Sequence, residues 1–154
     1  MNPYVEAGFD FLKAIAPSLI TVLLGAFVVQ KFFVSRANEA ALVDFLIKEL
    51  EELRNDALEY WNLVADSKED RERQAMVAQK IKGNLKALSA DLRFYCERYS
   101  RKHEAHFSKL VTNLHDTCTG GDFESQRKKP DSQRYIIVVN AINGIKSDLL
   151  RQKL

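Results

Sequence analysis

Cysteine, proline and glycine are all scarce in this chain of 154 residues, which holds two, three and six of them. Two thiols, Cys96 and Cys118, close one disulfide at most, which excludes a secreted disulfide-stapled scaffold and leaves them as buried thiols of a reducing compartment. No segment repeats with a period of 20 to 50 residues, so solenoids are excluded. No glycine-rich loop follows a strand to cradle phosphates, Gly120-Gly121 being an isolated pair, and the elbow of a serine hydrolase is missing. No catalytic residue, cofactor or enzymatic activity is therefore expected. The composition, 46% hydrophobic and 29% charged, also argues against widespread disorder.

What the chain does have is an uneven distribution of charge. Residues 1–36 carry three basic and two acidic groups, residues 37–72 four and eleven, and residues 73–154 sixteen and eight. The overall +2 thus hides a block of −7 followed by one of +8. Such asymmetry points to an anionic partner for the second block, or to pairing of the two blocks within or between subunits.

The N-terminal part contains 17 consecutive uncharged residues, Ala14 to Gln30, and Phe11, Leu12, Phe32, Phe33 and Val34 extend it past the flanking Lys13 and Lys31. As a helix, residues 11–34 would reach about 36 Å, against a hydrocarbon core of about 30 Å, and the two lysines can snorkel. The expectation is one transmembrane helix at about 11–34 within an N-terminal segment 1–36, followed by a domain at 37–154. A cleaved signal peptide fits less well despite the triplet Ser35-Arg36-Ala37, because Glu6 and Asp10 lie in the leader and Lys31 interrupts the approach to that site; a buried helix of a soluble protein is the other, equally minor, alternative. Lys13 alone precedes the core while Lys31, Arg36 and Lys48 follow it, which puts the C-terminal domain in the cytoplasm.

The domain reads as helical throughout. Val43, Leu46, Leu50, Leu53, Ala57, Tyr60 and Val64 alternate three and four residues apart, an apolar seam on a stalk whose other faces carry Glu49, Glu51, Glu52, Asp56 and Glu59. Asp66 and Ser67 with Glu69 and Asp70 provide the cap of a second long helix. Its seam is Ala78, Ile81, Leu85, Leu88, Leu92, Tyr95 and Tyr99, and it continues after a phase shift through Phe107, Leu110 and Leu114. Thr117 to Gln133 reads as a loop. Asp131 or Ser132 then caps a last helix with Val138, Ile142, Ile145 and Leu149 on one face. Tyr135 to Val139 alone would pass for a strand, but the spacing that follows favours helix. The fold class is all-α, a single N-terminal transmembrane helix plus a helical-bundle domain. Its apolar seams exceed what one hairpin covers, so an oligomer is expected.

His103-Glu104-Ala105-His106 is one residue short of a zincin motif. Cys96 lies seven residues before it, but surface or bundle-lining histidines are the better reading and no metal site is expected. Paired carboxylates such as Glu51-Glu52 read as a solvated face. The stretch Lys80 to Lys109 stands out: Lys80, Lys82, Lys86, Arg93, Arg98, Arg101, Lys102 and Lys109 face only Asp91, Glu97 and Glu104, with Phe94, Tyr95, Tyr99, His103 and His106 interleaved. The loop adds Arg127, Lys128, Lys129 and Arg134. Guanidinium forks match phosphates and aromatic faces stack on bases. The candidate ligand-binding residues are Lys82, Lys86, Arg93, Arg98, Tyr99, Arg101, Lys102, His103, His106 and Arg134. Two readings stay open: a phosphate-rich or nucleotide ligand, or cations that face the acidic stalk or the anionic inner leaflet. Long nucleic acid is not expected, for no duplex-binding module is present.

The layout, from the run AIAPSLITVLLGAFVVQ to the basic helical part, resembles the small CRISPR-associated membrane effectors of type III systems. The resemblance is architectural and spans the whole chain. It implies an antiviral protein of the bacterial inner membrane, a homotetramer whose cytoplasmic domains bind the ring-shaped second messenger cyclic tetra-adenylate and perturb the membrane. A structural or phage-type membrane scaffold, binding protein partners or anionic lipid, is the alternative.

Overall fold

The computed structural model describes the backbone of residues 3–64, 66–125 and 130–153, and the side chains among these from Gly25 to Gln152. The described residues are helical apart from the turns between helices: α1 (Pro3–Asn62), α2 (Lys68–Tyr99), α3 (Glu104–Thr119) and α4 (Ser132–Lys153), with a 3-10 turn at Arg101–His103 before α3. The chain divides into two compact units, Met1–Asn38 and Glu39–Leu154, and α1 contributes to both.

In the first unit, Phe27, Val28, Val29, Phe32, Phe33 and Val34 are all solvent-exposed, with Gln30 and Lys31 among them. Lys31 lies 5.9 Å from the Phe27 ring centre and Arg36 lies 5.6 Å from that of Phe32. Among the described residues no helix is long and apolar enough to cross a membrane. The side chains of the expected span from Phe11 to Leu24 lie outside the described residues.

The second unit is an up-and-down bundle of four helices, closed by the apolar seams that each helix turns inward. Val43, Leu46, Leu50, Leu53, Ala57 and Tyr60 of α1 are fully buried, as are Val138, Ile142, Ile145 and Leu149 of α4. Ala78, Ile81, Leu85, Leu88, Leu92 and Tyr95 of α2 meet them, with Phe107, Leu114 and Cys118 from α3. The seams are thus covered by the chain's own helices, and they do not by themselves require a partner.

The helix ends follow local chemistry. Ser67 caps α2 in a reciprocal box, the Asp70 N–H donating to Ser67 Oγ at 3.0 Å and the Ser67 N–H to Asp70 Oδ2 at 3.1 Å. Asp131 caps α4 by accepting the Arg134 N–H at 2.9 Å, and its own N–H donates to the Trp61 carbonyl at the end of α1, at 2.8 Å. Tyr135 to Val139 is helical, as the spacing beyond it demands.

Four expectations are corrected. The second helix does not run through Phe107: α2 stops at Tyr99, and the phase shift marks the 3-10 turn at which the chain reverses. Once the chain has turned, Phe107 meets Tyr95 edge-on at 6.2 Å from the other side of the core. The loop after α3 is shorter than Thr117–Gln133, because α3 runs to Thr119 and α4 begins at Ser132. Val64 is exposed, so the first seam ends at Tyr60 and Trp61. Asp56 is no solvated stalk charge: it is 4% exposed and accepts hydrogen bonds from Lys80 at 2.6 Å and Asn84 at 2.7 Å.

Candidate ligand-binding groove

On α2 the apolar seam faces the core, so residues three, four and seven positions apart on the next face project together beside α3. Lys82, Lys86, Ser89 and Arg93 are such a row, and with Val111, Thr112 and His115 of α3 they line an open groove of about 730 Å³. Phe94 also lines it and is 56% exposed. A narrower recess of about 320 Å³ shares Ser89, Arg93 and Val111 with the groove. Its floor is the buried Leu92, Cys96 and Phe107, and its rim carries Ser108 and Glu104. Both volumes fall in the range of small-molecule sites.

The groove's cations differ in their commitments. Lys82 Nζ donates to the Glu124 carboxylate at 2.6 Å, and Arg93 Nε to Glu97, one helical turn on, at 2.9 Å. Among the described residues Lys86 has no carboxylate within ion-pair distance, and the same holds of Arg98, Arg101, Lys102 and Lys109 outside the groove. His115 Nδ1 stands 3.6 Å from Asp116. An anion entering here would meet one uncommitted ammonium, two cations in exposed or half-exposed pairs, and the Glu97 carboxylate, which also lines the groove.

The remaining candidates are not brought into this groove. Arg98, Arg101 and Lys102 are exposed around the α2–α3 turn, and Tyr99 is half-buried with its ring 6.0 Å from Tyr95. His103 flanks α3 without a side-chain capping bond. His106 Nε2 lies 2.7 Å from Asp148 of α4, a contact between helices. Arg134 is at the other end of the bundle: its guanidinium lies 5.6 Å from the Trp61 ring centre and packs against Gly121. Arg127, Lys128 and Lys129 lie outside the described residues. Among the described residues there is no group of three or more His, Cys, Asp and Glu side chains that could hold a metal ion.

Burial pushes the thiol of Cys96 up to about 11 and that of Cys118 up to about 12, so neither is a ready nucleophile. Both are free. The acidic stalk takes its own share of cations, Arg73 pairing with Glu59 at 2.7 Å, Lys80 with Asp56, and Lys146 of α4 with Glu51.

The chain matches no protein family, no curated protein and no solved structure. The chemistry of the groove therefore rests on its own residues.

A second cluster carries little signal in the sequence. Gly120-Gly121 opens a tight turn in which Gly121 (φ 65) and Glu124 (φ 62) are left-handed. Phe123 from that turn packs 4.7 Å from Tyr60 and 6.3 Å from Trp61. The glycine pair beside Asp-Phe-Glu was the available signal, since consecutive glycines mark a backbone that must approach something closely. His115 was also missed, because it stands on α3 and joins the basic row only through helix packing.

Proposed function

We propose that this chain is a membrane-anchored sensor whose α2–α3 groove binds a phosphate-bearing nucleotide. Cyclic oligoadenylate is the ligand class, and perturbation of the membrane in an antiviral response is the output. The observation that carries this is the convergence of Lys82, Lys86 and Arg93 beside the exposed ring of Phe94. Ammonium and guanidinium groups bind phosphate oxygens through charge-assisted hydrogen bonds, and an exposed aromatic face stacks a base. The anchor is supported by the 17 uncharged residues from Ala14 to Gln30, continued by exposed apolar side chains around α1 to Val34. The bias of basic residues puts the helical bundle on the cytoplasmic side of a bacterial inner membrane, where such a messenger circulates. A homotetramer suits a ring-shaped ligand of repeated phosphates, because cyclic symmetry gives each repeat the same contact.

The test is binding of labelled cyclic tetra-adenylate to the full-length protein in detergent. Saturable binding that weakens with salt and is lost in Lys86→Glu supports the reading, whereas absence of binding by a folded wild type removes it.

A scaffold is the second reading, favoured by Lys80, Arg73 and Lys146, whose charges the stalk already occupies. On that reading the groove is empty of nucleotide and the exposed cations meet anionic lipid or protein partners.

A further inference from the structure

Lys82 belongs to two structures at once. On one side it lines the α2–α3 groove, and on the other its Nζ holds the Glu124 carboxylate at 2.6 Å and lies 5.9 Å from the Phe123 ring centre. We propose that an anion entering the groove takes Lys82 from Glu124 and thereby releases the 120–125 turn from the last turn of α1. This rests on the reading of the groove as a phosphate site and adds to it a means by which occupancy is felt elsewhere in the bundle.

Three hydrogen bonds that tie the turn to α1 and α2 converge on Glu124. Its N–H donates to the Tyr60 hydroxyl at 2.7 Å, its carboxylate accepts from Lys82, and Gln79 Nε2 reaches the same carboxylate at 3.4 Å. Its own backbone is left-handed at φ 62, which a side chain with a Cβ adopts only when its surroundings hold it there. Removing the Lys82 tie therefore takes one restraint from a strained residue and leaves the Tyr60 and Gln79 bonds to hold it. Phe123, its neighbour in the chain, packs on Tyr60 and Trp61 and carries any shift of Glu124 to them.

The Lys82–Glu124 pair is also the right kind of tie to exchange. Its side chains are 42% and 41% exposed, so solvent screens the attraction and little holds the pair against competition. The Lys80–Asp56 pair on the opposite side of α2 has a carboxylate only 6% exposed and is not exchangeable in this way. Lys86 stands one helical turn from Lys82, without a carboxylate of its own, and a phosphate bridging the two ammonium groups gains contacts that Glu124 does not offer. Linkage then requires the converse: whatever loosens Glu124 from Lys82 favours the anion.

Trp61 is the single tryptophan of the chain and touches this turn, so its emission reports the release directly. The measurement uses the full-length protein in detergent, with tripolyphosphate and cyclic tetra-adenylate as probes and circular dichroism to confirm that each variant is folded. In the absence of any probe, Glu124→Gln and Lys82→Gln should both shift Trp61 emission to the red relative to wild type. Either probe should shift wild-type emission the same way. Glu124→Gln should bind tripolyphosphate roughly two- to five-fold more tightly than wild type, the factor expected for one half-exposed ion pair, while Lys82→Gln binds it more weakly. Probe-free variants with wild-type emission would overturn the proposal. So would a wild type that binds either probe without any change at Trp61, an outcome that leaves the groove's function standing. Failure of both probes to bind folded wild type removes the groove reading and the exchange together.

Discussion

Lys80 reaches across from α2 to the carboxylate of Asp56 on α1, at 2.6 Å, and joins two helices through an acid that the bundle almost seals from water. Asn84, one turn along α2, supplies the second hydrogen bond at 2.7 Å. A buried carboxylate needs such partners, because an unpaired one would lose far more in solvation than the fold could return. Asp56→Ala removes both bonds and should lower stability by about 1–3 kcal/mol, as a fall in melting temperature followed by helicity. Lys80→Ala should cost as much or more, since it leaves the carboxylate with Asn84 alone. A Lys80→Ala protein as stable as wild type would show that the bond does not matter.

Two carboxylates on α1 should titrate in opposite senses. Burial, with Asp91 and Glu52 nearby, raises Glu49 from 4.5 to about 6, and its Oε2 is buried without a hydrogen-bond partner. A carboxyl group whose folded value lies above its unfolded one is bound more tightly by protons in the native state. Its contribution is therefore present below about pH 4.5 and is lost as pH rises through about 6. Glu49→Gln should stabilise the bundle at pH 7, by about 1–2 kcal/mol, with little effect at pH 4. Glu51 is lowered, chiefly by its hydrogen bond to Lys146, so its contribution is present at neutral pH and is lost as pH falls through its folded value. Melting temperatures of Glu49→Gln and Glu51→Gln measured from pH 4 to 7 should therefore diverge from wild type in opposite directions.

Gly121 lies at φ 65, and a side chain there would run into the Arg134 guanidinium. Gly121→Ala should cost about 1–3 kcal/mol and alter Trp61 emission, because Arg134 stacks on Trp61 and would be displaced. Gly83 is the contrast, for a methyl group added there would meet no atom within 4 Å. Gly83→Ala in the exposed middle of α2 should stabilise by about 0.5–1 kcal/mol, read as a rise in melting temperature.

Cys96 and Cys118 are buried and their thiols are held protonated near neutral pH. A thiol-specific disulfide reagent at pH 7 should modify neither in the folded protein and both after denaturation. Rapid reaction of Cys96 in the native state would show that the narrow recess it floors opens to solvent.

Much of the bundle was legible in the sequence, because helix periodicity is a local property. The seams at Leu46, Leu50 and Leu53 and at Ile142 and Ile145 lie three or four residues apart along one face, and the same spacing turns them to the core. Ser67 and Asp131 cap the helices expected to follow them, since an N-cap needs only an oxygen within reach of the next three N–H groups. The row Lys82, Lys86 and Arg93 could likewise be read as one face. What the chain alone did not decide were the matters set by residues far apart in it. Whether α2 continued or reversed after Tyr99 depended on Phe107 finding Tyr95 across the core. Asp56 became a buried acid only because Lys80 and Asn84 came to it from α2, and Arg134 left the basic set because Trp61 and Gly121 were waiting at its helix end. A sequence specifies which face of a helix is apolar or charged, but which charges meet each other and which remain for a ligand depends on helix packing, where contacts across 24 to 95 residues compete for the same side chains.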